Sequence, residues 1–458
     1  MEQTRREFVK SSTLASAAML GAPALLRGQN LNDKIRVGFI GVGNRGTKLL
    51  RWFRENDDVD VAAICDVYEP YVHRDYSRVD KRFIDTVGGK IPSMGEDLPP
   101  KYGKFTDFRE MLEDKTIDAV CIATPDHWHA IQTIMACRSG KDVYCEKPLT
   151  MTVKEGRRMV EVANENNRVV AVGLNRRGST LYQHLVEQVQ KDVIGSVSVA
   201  LAGRVSNMYP DGIGTYPSAA PPADFDWDMW LGPRAERPFQ FNLPLYKFRW
   251  WSDFSSQMGN WGVHYMDVIR WMIGEQAPVA VTAHGSRKLI NDDSDIPDTM
   301  EVLFEFKSGT IIKFSINEAC SGGVVHNGEV ELRGTKGNIQ ADEGEFRITS
   351  ASPGQFQNWE NENIETKVSL GALVGDPEMR ENSAGNLIRN FLDCVKSRET
   401  PLCSLEDGHR STTFALIANI ALARKKRLEW NADVEMFMND DEANEMLHYD
   451  YRSPWKLG

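Results

Sequence analysis

The sequence predicts an α/β protein of two parts: a doubly wound parallel sheet, followed by an α/β domain with an open, mainly antiparallel sheet. In the first part, short apolar runs alternate with helical patterns, which is typical of parallel strands covered by helices. After about residue 180, apolar and polar residues alternate and glycine-containing turns join the runs, which is typical of antiparallel strands. A glycine-rich turn after the first run indicates a nucleotide site.

The individual elements follow from these patterns. We expect strands of the first sheet in KIRVGFI, VDVAAICD, IDAVCIAT, DVYCEKP and RVVAVGLN, with a helix from about His129 to Ser139. Strands of the second sheet are expected in SVSVALAGRVS, VAVTAHGS, TMEVLFEFKSGTIIKFSINEA and GEVELRGTKGNIQA. Amphipathic helices are predicted at 383–396 and 408–426, and the Pro-, Trp- and Tyr-rich residues 205–260 are predicted to form long loops.

The length and the charge of the chain limit the number of domains and the classes of partner. The 458 residues, 41% of them hydrophobic, suffice for two cores. We predict a signal peptide and linker at 1–30, a nucleotide-binding domain at 31–150 and a substrate and oligomerisation domain at 151–458, whose helix near 404–425 packs back on the first. A net charge of −11 without a basic block argues against a nucleic-acid partner.

The glycine turn has the context of a dinucleotide site. Gly41, Gly43 and Gly46 follow a strand and open a helix, and Asp66 ends the second strand twenty residues later. The glycines allow a tight turn, a close approach to the pyrophosphate and close helix packing. Since Asp66 binds ribose hydroxyls and repels a 2′-phosphate, the pattern predicts NAD and makes NADP less favoured.

Further cofactor contacts are expected at the carboxyl ends of the parallel strands, where ligands bind in this architecture. The candidates are Asn44, Arg45, Thr124, Pro125, His127, His129, Glu146, Lys147 and Asn175. Arg45 weakens the preference for NAD somewhat, because an arginine in the turn could contact a phosphate. The H-x-H spacing of the two histidines lacks a matching third ligand, so we predict no metal.

YCEKPLT supplies a candidate catalytic lysine. Lys147 follows a buried strand, and Pro148 favours extended geometry for it. A partly buried lysine has a lowered pKa and can polarise a substrate hydroxyl. The alternative is a solvated Lys147 that forms an ion pair with Glu146.

QMGNWGVHYMDVIRW places three polar groups at helical spacing. Asn260, His264 and Asp267 would share one helix face. This face could be an acid/base wall facing the cofactor, a polar network within the core, or a metal site. Spacing alone leaves all three open.

The long loops are rich in aromatic residues that could stack on sugar rings. We predict substrate contacts from Arg176, Arg249, Trp251, Trp261 and Tyr265. The alternative for the aromatic side chains is a core or dimer contact.

The chain resembles the Gfo/Idh/MocA oxidoreductases over about residues 34–430. The resemblance lies in the combination of four features: the glycine turn, the T-P-x-x-x-H strand end, the E-K-P motif and a downstream helix with a histidine. The resemblance implies an N-terminal Rossmann domain and a C-terminal α/β domain whose open sheet mediates a homodimer or homotetramer. It also implies a bound nicotinamide cofactor and a sugar, polyol or sugar-derived substrate.

The resemblance also assigns roles. Lys147 matches the lysine that contacts nicotinamide ribose and substrate, and Asn175 and Arg176 match active-site residues. His264 matches the usual acid/base group, and Asp267 matches the acidic residue three positions later, a candidate orienter of that histidine.

Asn260 departs from the pattern of the family, because many members have aspartate there. An amide cannot take up a proton, so the direction and net outcome of the reaction are open. Three functions remain: a carbohydrate dehydrogenase, a redox-neutral glycosidase that uses transient oxidation at C3 and elimination, and a sugar-binding protein without activity.

The N-terminus resembles a twin-arginine export signal. Arg5 and Arg6 lie in T-R-R-x-F-V-K, followed by a weakly apolar run too short to span a bilayer permanently. Export by this route carries folded proteins, so we expect a periplasmic or otherwise exported enzyme with tightly bound NAD.

Replacement of both Arg5 and Arg6 by lysine should keep the protein in the cytoplasm, because the twin-arginine route requires that pair. Cell fractionation followed by immunoblotting measures the distribution. Continued export of the variant would contradict the signal assignment.

Overall fold

The computed structural model describes residues 34–95, 98, 101–360 and 363–458. The predicted export signal at 1–30 lies outside these residues. Within the described part, no helix combines the length and the apolar character that a bilayer crossing requires.

The first sheet is parallel and has six strands in the order β3-β2-β1-β4-β5-β6. Its strands are β1 (Ile35–Ile40), β2 (Val59–Cys65), β3 (Gly103–Phe105), β4 (Ala119–Ile122), β5 (Asp142–Cys145) and β6 (Val170–Val172). Apart from β3, whose residues are half-buried or exposed, the side chains of these strands are almost all buried, which explains the continuous apolar runs of the sequence. This is the predicted doubly wound Rossmann sheet.

The helices of this part connect successive strands. They are α1 (Asn44–Arg54), α2 (Glu69–His73), α3 (Lys81–Val87), α4 (Phe108–Glu113), α5 (His129–Arg138) and α6 (Val153–Glu165). α6 begins with a capping box in which Thr152 and Glu155 satisfy each other's backbone N–H groups.

The boundary predicted at residue 150 is too early. β6 pairs in parallel with β5 and completes the first sheet, so the sheet extends through Val172. The sequence pattern already indicated a strand at 168–175, and a buried strand of this kind needs its parallel neighbour.

The second sheet has ten strands in the order β14-β13-β12-β11-β7-β10-β9-β8-β15-β16. All pairs are antiparallel except β7 with β10. The strands are β7 (Val197–Val205), β8 (Ala280–Ser286), β9 (Thr299–Glu305), β10 (Ile311–Asn317), β11 (Val330–Gly334), β12 (Gly337–Ala341), β13 (Glu345–Ser350), β14 (Thr366–Ser369), β15 (Leu428–Asn431) and β16 (Met436–Phe437). The predicted open, mainly antiparallel sheet is confirmed.

The remaining helices are α7 (Thr180–Gln190), α8 (Trp227–Leu231), α9 (Val263–Ile273), α10 (Leu370–Val374), α11 (Ser383–Ser397), α12 (Leu405–Arg424) and α13 (Asp441–Glu445). A π-helical turn at Met258–Gly262 leads directly into α9. Within residues 205–260, the regular structure is limited to α8 and short turns.

Two late helices join the two parts. α12, the helix expected to pack back, contacts α6 and β6 as well as α9 and β8. α11 covers α1 and β5, and its Phe391 ring lies 6.3 Å from Phe53 and 5.9 Å from Tyr144. The first core is therefore completed by residues from the end of the chain.

Candidate active site

The glycine turn packs against the end of β4. Gly41 has a φ of +81°, and a Cβ atom there would lie 2.8 Å from the backbone nitrogen of Thr124. A Cβ atom on Gly46 would lie 1.8 Å from the carbonyl oxygen of Gly41. Gly43 precedes α1 without a side-chain cap, so the first peptide N–H groups of the helix are available to an anion. The turn thus has the close approach and the donors that a pyrophosphate needs.

Asp66 follows β2 and is fixed by backbone hydrogen bonds. Its carboxylate accepts from the N–H groups of Val42 at 2.9 Å and Tyr68 at 3.1 Å. Burial raises its pKa to about 6 against the effect of these bonds, so it is ionised at neutral pH. A carboxylate at this strand end favours ribose hydroxyls over a 2′-phosphate.

A cavity lies over the glycine turn, and we call it the glycine-loop cavity. Its wall includes Asp66 and the β4 end at Thr124 and Pro125, and loop residues between 225 and 249 close the opposite side. The cavity thus combines hydrogen-bond donors for a phosphate, a carboxylate that can accept from ribose hydroxyls, and apolar faces. These residues fit a nicotinamide dinucleotide.

Arg45 is directed at the strand ends. Its Nε donates to Glu146 at 2.6 Å and its Nη2 donates to Asn175 at 3.2 Å. Because Glu146 neutralises the guanidinium, Arg45 in this position holds β5 and β6 together and offers no free charge to a 2′-phosphate. Its Cζ also lies 5.1 Å from the centre of the Trp52 ring.

His127 does not line the glycine-loop cavity, contrary to the predicted cofactor contact. Its Nε2 lies 2.9 Å from the carbonyl oxygen of Trp230, and its ring packs against Trp230 and Phe254. Burial lowers its pKa to about 3. The ring is a buried packing group behind the cavity wall.

His129 is also buried behind the wall, so its predicted cofactor contact is corrected. Its Nδ1 lies 2.8 Å from the carbonyl oxygen of Pro148 and its Nε2 lies 2.9 Å from that of Thr124. Burial opposes a charge on the ring, but Cys145 and Asp126 outweigh it and raise the pKa to about 9. A ring that donates from both nitrogens ties the ends of β4 and β5 together and has no lone pair for a metal.

Lys147 reaches across to the π-helical turn. Its Nζ donates to the backbone oxygen of Asn260 at 2.7 Å and to the side-chain Oδ1 of the same residue at 3.2 Å. The Lys147–Pro148 peptide bond is cis. Burial lowers the pKa of Lys147 to about 8, although Glu146 and Asp126 oppose the shift. The alternative of a solvated lysine paired with Glu146 is wrong, because the side chain is half-buried and its Nζ bonds to Asn260 instead.

The orientation of Asn260 is set by its neighbours. A protonated lysine has no lone pair, so Oδ1 of Asn260 must face Lys147 and Nδ2 must face away. Nδ2 donates to Oε1 of Gln257 at 3.2 Å. Gln257 was not singled out from the sequence; its position three residues before Asn260 is the signal that could have identified it.

His264 occupies the first turn of α9 and is half-buried. Its Nδ1 is buried and, within the described residues, has no hydrogen-bond partner. Burial lowers the pKa of His264 well below its ordinary value, and the charges of Lys147 and Arg176 lower it further. The imidazole is therefore neutral at physiological pH.

Asp267 does not orient His264, which corrects the predicted role. Its carboxylate accepts from the guanidinium of Arg177 at 2.9 Å and from the hydroxyl of Ser411 at 2.6 Å. Asp267 is fully buried, and Arg270 lies 3.7 Å away on the same helix. The three polar residues predicted to share one helix face thus have different partners. Asn260 binds Lys147, whereas Asp267 belongs to an ion-pair network in the core.

Two of the predicted substrate residues are packing residues instead. The Trp251 side chain is buried, donates to the carbonyl oxygen of Asn242 at 3.2 Å and lies beneath Arg237. Tyr265 is buried, with its ring 5.5 Å from Phe314. Both occupy the core, the alternative considered for the aromatic residues.

The other three substrate candidates lie in different settings. Arg176 is buried and forms an ion pair with Glu329, 2.6 Å from its Nε. Trp261 is half-buried, with the Cζ of Arg204 3.9 Å from its ring centre. Arg249 lies in the wall of the glycine-loop cavity. Glu329 and Arg204 were missed because their partners are distant in sequence.

Three family models match the chain. Residues 35–174 match the model described as "Oxidoreductase family, NAD-binding Rossmann fold". Residues 234–340 match the "GFO/IDH/MocA C-terminal domain", and residues 364–457 match the "Oxidoreductase family, C-terminal alpha/beta domain". The matches follow the two-part architecture described above.

The curated relatives of this chain include a dehydrogenase and glycosidases. Myo-inositol 2-dehydrogenase of Thermotoga maritima is 25% identical over 86% of this chain and 98% of its own length. Alpha-N-acetylgalactosaminidase of Shewanella oneidensis is 35% identical, but over 30% of this chain and 27% of its own length. A glycosyl hydrolase family 109 protein of Shewanella pealeana is 29% identical over 37% of this chain and 38% of its own length. The chain thus aligns with most of the dehydrogenase and with a minor part of these glycosidase relatives.

Solved structures share the fold. Levoglucosan dehydrogenase in complex with NADH and L-sorbose has a TM-score of 0.63 at 18% identity, over 87% of this chain and 99% of that one. Aldose-aldose oxidoreductase from Caulobacter crescentus, complexed with glycerol, has a TM-score of 0.58 at 16% identity, over 86% and 99% of the two chains. At such identities, the likeness shows the fold alone.

The Asp267→Asn variant should lose about 3–5 kcal/mol of unfolding free energy, because it removes the fully buried charge partner of Arg177 and leaves that guanidinium only the more exposed Asp407, 3.1 Å away. Urea denaturation followed by circular dichroism measures the loss. Since Asp267 does not contact His264, we expect the pH profile of the folded variant to match that of the wild type.

The matched control is Asp393→Asn, which removes an ion pair with Arg389 in which the Asp393 side chain is 62% exposed. Its cost should stay within about 1 kcal/mol. If the Asp267 variant is as stable as the wild type, the ion-pair role of Asp267 is contradicted. A displaced pH profile would indicate that Asp267 orients His264 after all.

Proposed function

From the membership of this chain in the Gfo/Idh/MocA family of oxidoreductases, we propose that it transfers hydride between NAD(H) and a hydroxyl-bearing carbon of a sugar, polyol or glycoside. The observation that carries the proposal is the convergence of Lys147, Asn260 and His264 at the strand edge that borders the glycine-loop cavity. The nicotinamide, when bound, supplies the hydride chemistry; the protein must bind the hydroxyl and move its proton.

Lys147 is the proposed proton carrier. With a pKa of about 8, Lys147 is mainly an ammonium at physiological pH but holds an appreciable fraction of amine, which suits a general acid or base. Its amine form takes the hydroxyl proton during oxidation, and its ammonium form returns it during reduction. Asn260 keeps Nζ in place without the negative charge that would stabilise the ammonium.

His264 is the proposed hydroxyl-binding partner. A neutral imidazole beside a cation can accept or donate a hydrogen bond without taking up the proton. This reverses the roles expected from the resemblance, in which His264 carries the proton and Lys147 assists. The reversal rests on the directions in which burial and the neighbouring cations move the two pKa values.

Carbohydrate is the proposed substrate class. A relative that this chain matches over most of its length is an inositol dehydrogenase, and the fold neighbours include sugar oxidoreductases. Trp261, with Arg204 stacked on its ring, offers the kind of aromatic face against which a sugar ring packs.

A redox-neutral glycosidase is the second candidate. Transient oxidation at C3 acidifies the C2 proton, elimination expels the aglycone, water adds and the hydride returns, so the cofactor ends as it began. Asn260, which leaves the net outcome of the reaction open, supports this candidate together with the partial matches to glycosidases. A resident cofactor would suit an exported protein, so we also propose export through the predicted twin-arginine signal, tight NAD binding, and a homodimer or homotetramer.

A substrate panel tests these proposals. Protein purified from the periplasm should release NAD on denaturation, detected by mass spectrometry. Sugar-dependent formation of NADH supports the dehydrogenase, whereas release of nitrophenol from nitrophenyl glycosides without added NAD supports the glycosidase.

Lys147→Ala and His264→Ala are the matched variants for this panel, and both should abolish either activity. Wild-type-like activity in both would contradict the proposed site. Sugar binding without turnover in the wild type would leave the sugar-binding protein as the surviving function.

The rate of substrate oxidation should rise with pH through a midpoint near pH 8, because the amine form of Lys147 is required. In Asn260→Asp, a carboxylate beside Nζ favours the ammonium, so the rise should move up by about one to three pH units. Asn260→Gln, which adds no charge, is the control. Steady-state rates from pH 6 to 10 measure the shift, and a rise near pH 6 in the wild type would assign the proton to His264 instead.

A further inference from the structure

A second cavity lies beside the π-helical turn, and we call it the rear cavity. Its wall includes residues 150–153 after Pro148, residues 255–259, residues 295–297, part of α12, and the paired residues Met300 on β9 and Ile316 on β10. It shares no lining residue with the glycine-loop cavity. A molecule bound in the rear cavity would therefore leave the glycine turn free for the dinucleotide.

Gln257 is the buried amide of this wall and is 3% exposed. The ammonium of Lys147 can only donate, so Oδ1 of Asn260 accepts from it and Nδ2 of Asn260 must donate to Oε1 of Gln257. The Nε2 of Gln257, on the other branch of the amide, is buried and has no hydrogen-bond partner among the described residues. Because an unpaired buried N–H group is unfavourable, this nitrogen would gain from an acceptor in the rear cavity.

The ionisable groups of the rear cavity are acidic. Asp126 is buried in the wall and accepts from the hydroxyl of Ser255. Asp295 accepts from the hydroxyl of Ser252 at 2.7 Å. In the part of the chain that the structure describes, no lysine, arginine or histidine lines this cavity. An anion would therefore meet carboxylates without a counter-charge, so the wall favours a neutral ligand.

The rest of the wall is largely apolar. Met258, Met300 and Ile316 are buried beside the cavity, and α12 contributes the half-buried Leu416. Small-molecule sites combine an apolar lining of this kind with a few polar groups that fix the orientation of the ligand. The matching ligand is a neutral molecule with an apolar body and a carbonyl or hydroxyl oxygen that accepts from Gln257.

We propose that the rear cavity binds such a neutral molecule, with its oxygen on Nε2 of Gln257, and that Gln257 and Asn260 couple this site to Lys147. The binding does not depend on the proposed function, whereas the coupling rests on the proposed role of Lys147 as proton carrier. An acceptor on Nε2 polarises the amide of Gln257, which makes its Oε1 a stronger acceptor for Asn260. Oδ1 of Asn260 becomes in turn a stronger acceptor for Lys147. The bound molecule thus stabilises the ammonium form and slows the oxidation of substrate.

Charged groups also act on Lys147 directly, independently of the two amides. They are Glu146 and Asp126, which favour the ammonium form, and Arg249 and Arg45, which oppose it. His264 is neutral and adds no charge. Of the four charged groups, only Asp126 lines the rear cavity. A variant of Gln257 that leaves Asp126 in place therefore isolates the effect of the amides.

The probe for the site is cyclohexanecarboxamide, which has an apolar ring and a neutral carbonyl group. Cyclohexanecarboxylate has nearly the same shape but carries a negative charge. In isothermal titration of the NADH-loaded protein, the carboxamide should bind, and the carboxylate should bind at least about tenfold more weakly. Gln257→Met keeps the length of the side chain and removes the amide. It should raise the Kd for the carboxamide by about three- to tenfold, the loss expected for one hydrogen bond.

The coupling has a separate readout. With saturating carboxamide, the midpoint of the oxidation rate near pH 8 should move upward in the wild type, because the ammonium form of Lys147 is stabilised. In Gln257→Met the midpoint should be the same with and without the probe, because the methionine side chain cannot relay the polarisation. Steady-state rates measured in both conditions give the shift.

Two further variants complete the test. Leu416→Trp places a larger side chain in the rear cavity from α12 and should abolish binding of the carboxamide, including in the case that Gln257→Met does not fold. Gln190→Met is the matched control, because Gln190 lies on α7, outside the cavity, where it donates to the carbonyl oxygen of Trp271 at 3.1 Å. Its affinity for the carboxamide should equal that of the wild type.

The site would be overturned by absence of binding to the wild type, by equal affinity for the carboxamide and the carboxylate, or by unchanged affinity in either Gln257→Met or Leu416→Trp. Binding without a movement of the pH midpoint would overturn the coupling. A protein without activity on any carbohydrate would instead refute the proposed function, while the titration would still report on the rear cavity. The failures are therefore distinguishable.

Discussion

The buried ion pair between Asp267 and Arg177 is the interaction on which the site depends. Arg177 lies in the turn directly after β6, Asp267 lies on α9, and Ser411 on α12 donates to the same carboxylate. These elements belong to the edge of the first sheet, the helix behind the second sheet and the helix that bridges both. Because the pair has no exposed face, the angle between the two parts is fixed by charge as well as by apolar packing.

That fixed angle brings together groups from distant parts of the chain. Asn175 and Arg176 precede Arg177 in the same turn, and His264 precedes Asp267 on the same helix. Lys147 then meets Asn260 across the junction. The result is a site rich in cations. Burial, together with the charges of the neighbouring cations, keeps His264 neutral and lowers the pKa of Lys147 to about 8.

The sequence predicted the features that depend on local geometry. The parallel sheet, the glycine turn, the strand-end position of Asp66 and a partly buried Lys147 each follow from a few consecutive residues in a recognisable context. Errors arose where the outcome depended on distant partners. Asp267 has helical spacing from His264, but its carboxylate binds Arg177, which lies in the turn after β6. Trp251 and Tyr265 are aromatic residues of the kind that stack on sugar rings, but neighbouring loops and strands bury them. His127 and His129 lie at the predicted edge, yet their rings point to carbonyl groups behind it.

The π-helical turn has a consequence for how this chain should be aligned with its relatives. A π turn holds one residue more per hydrogen-bonded ring than an α-helix, so deletion of one residue between Met258 and Gly262 could restore a regular helix. The deletion would turn Asn260 by about 100° relative to His264 and withdraw it from Lys147, while the rest of α9 kept its register. A one-residue gap at this point in an alignment therefore changes which residue faces the lysine. Comparison of the position of Asn260 among homologues requires that gap to be placed by structure, because identity alone would pair residues that lie on different sides of the helix.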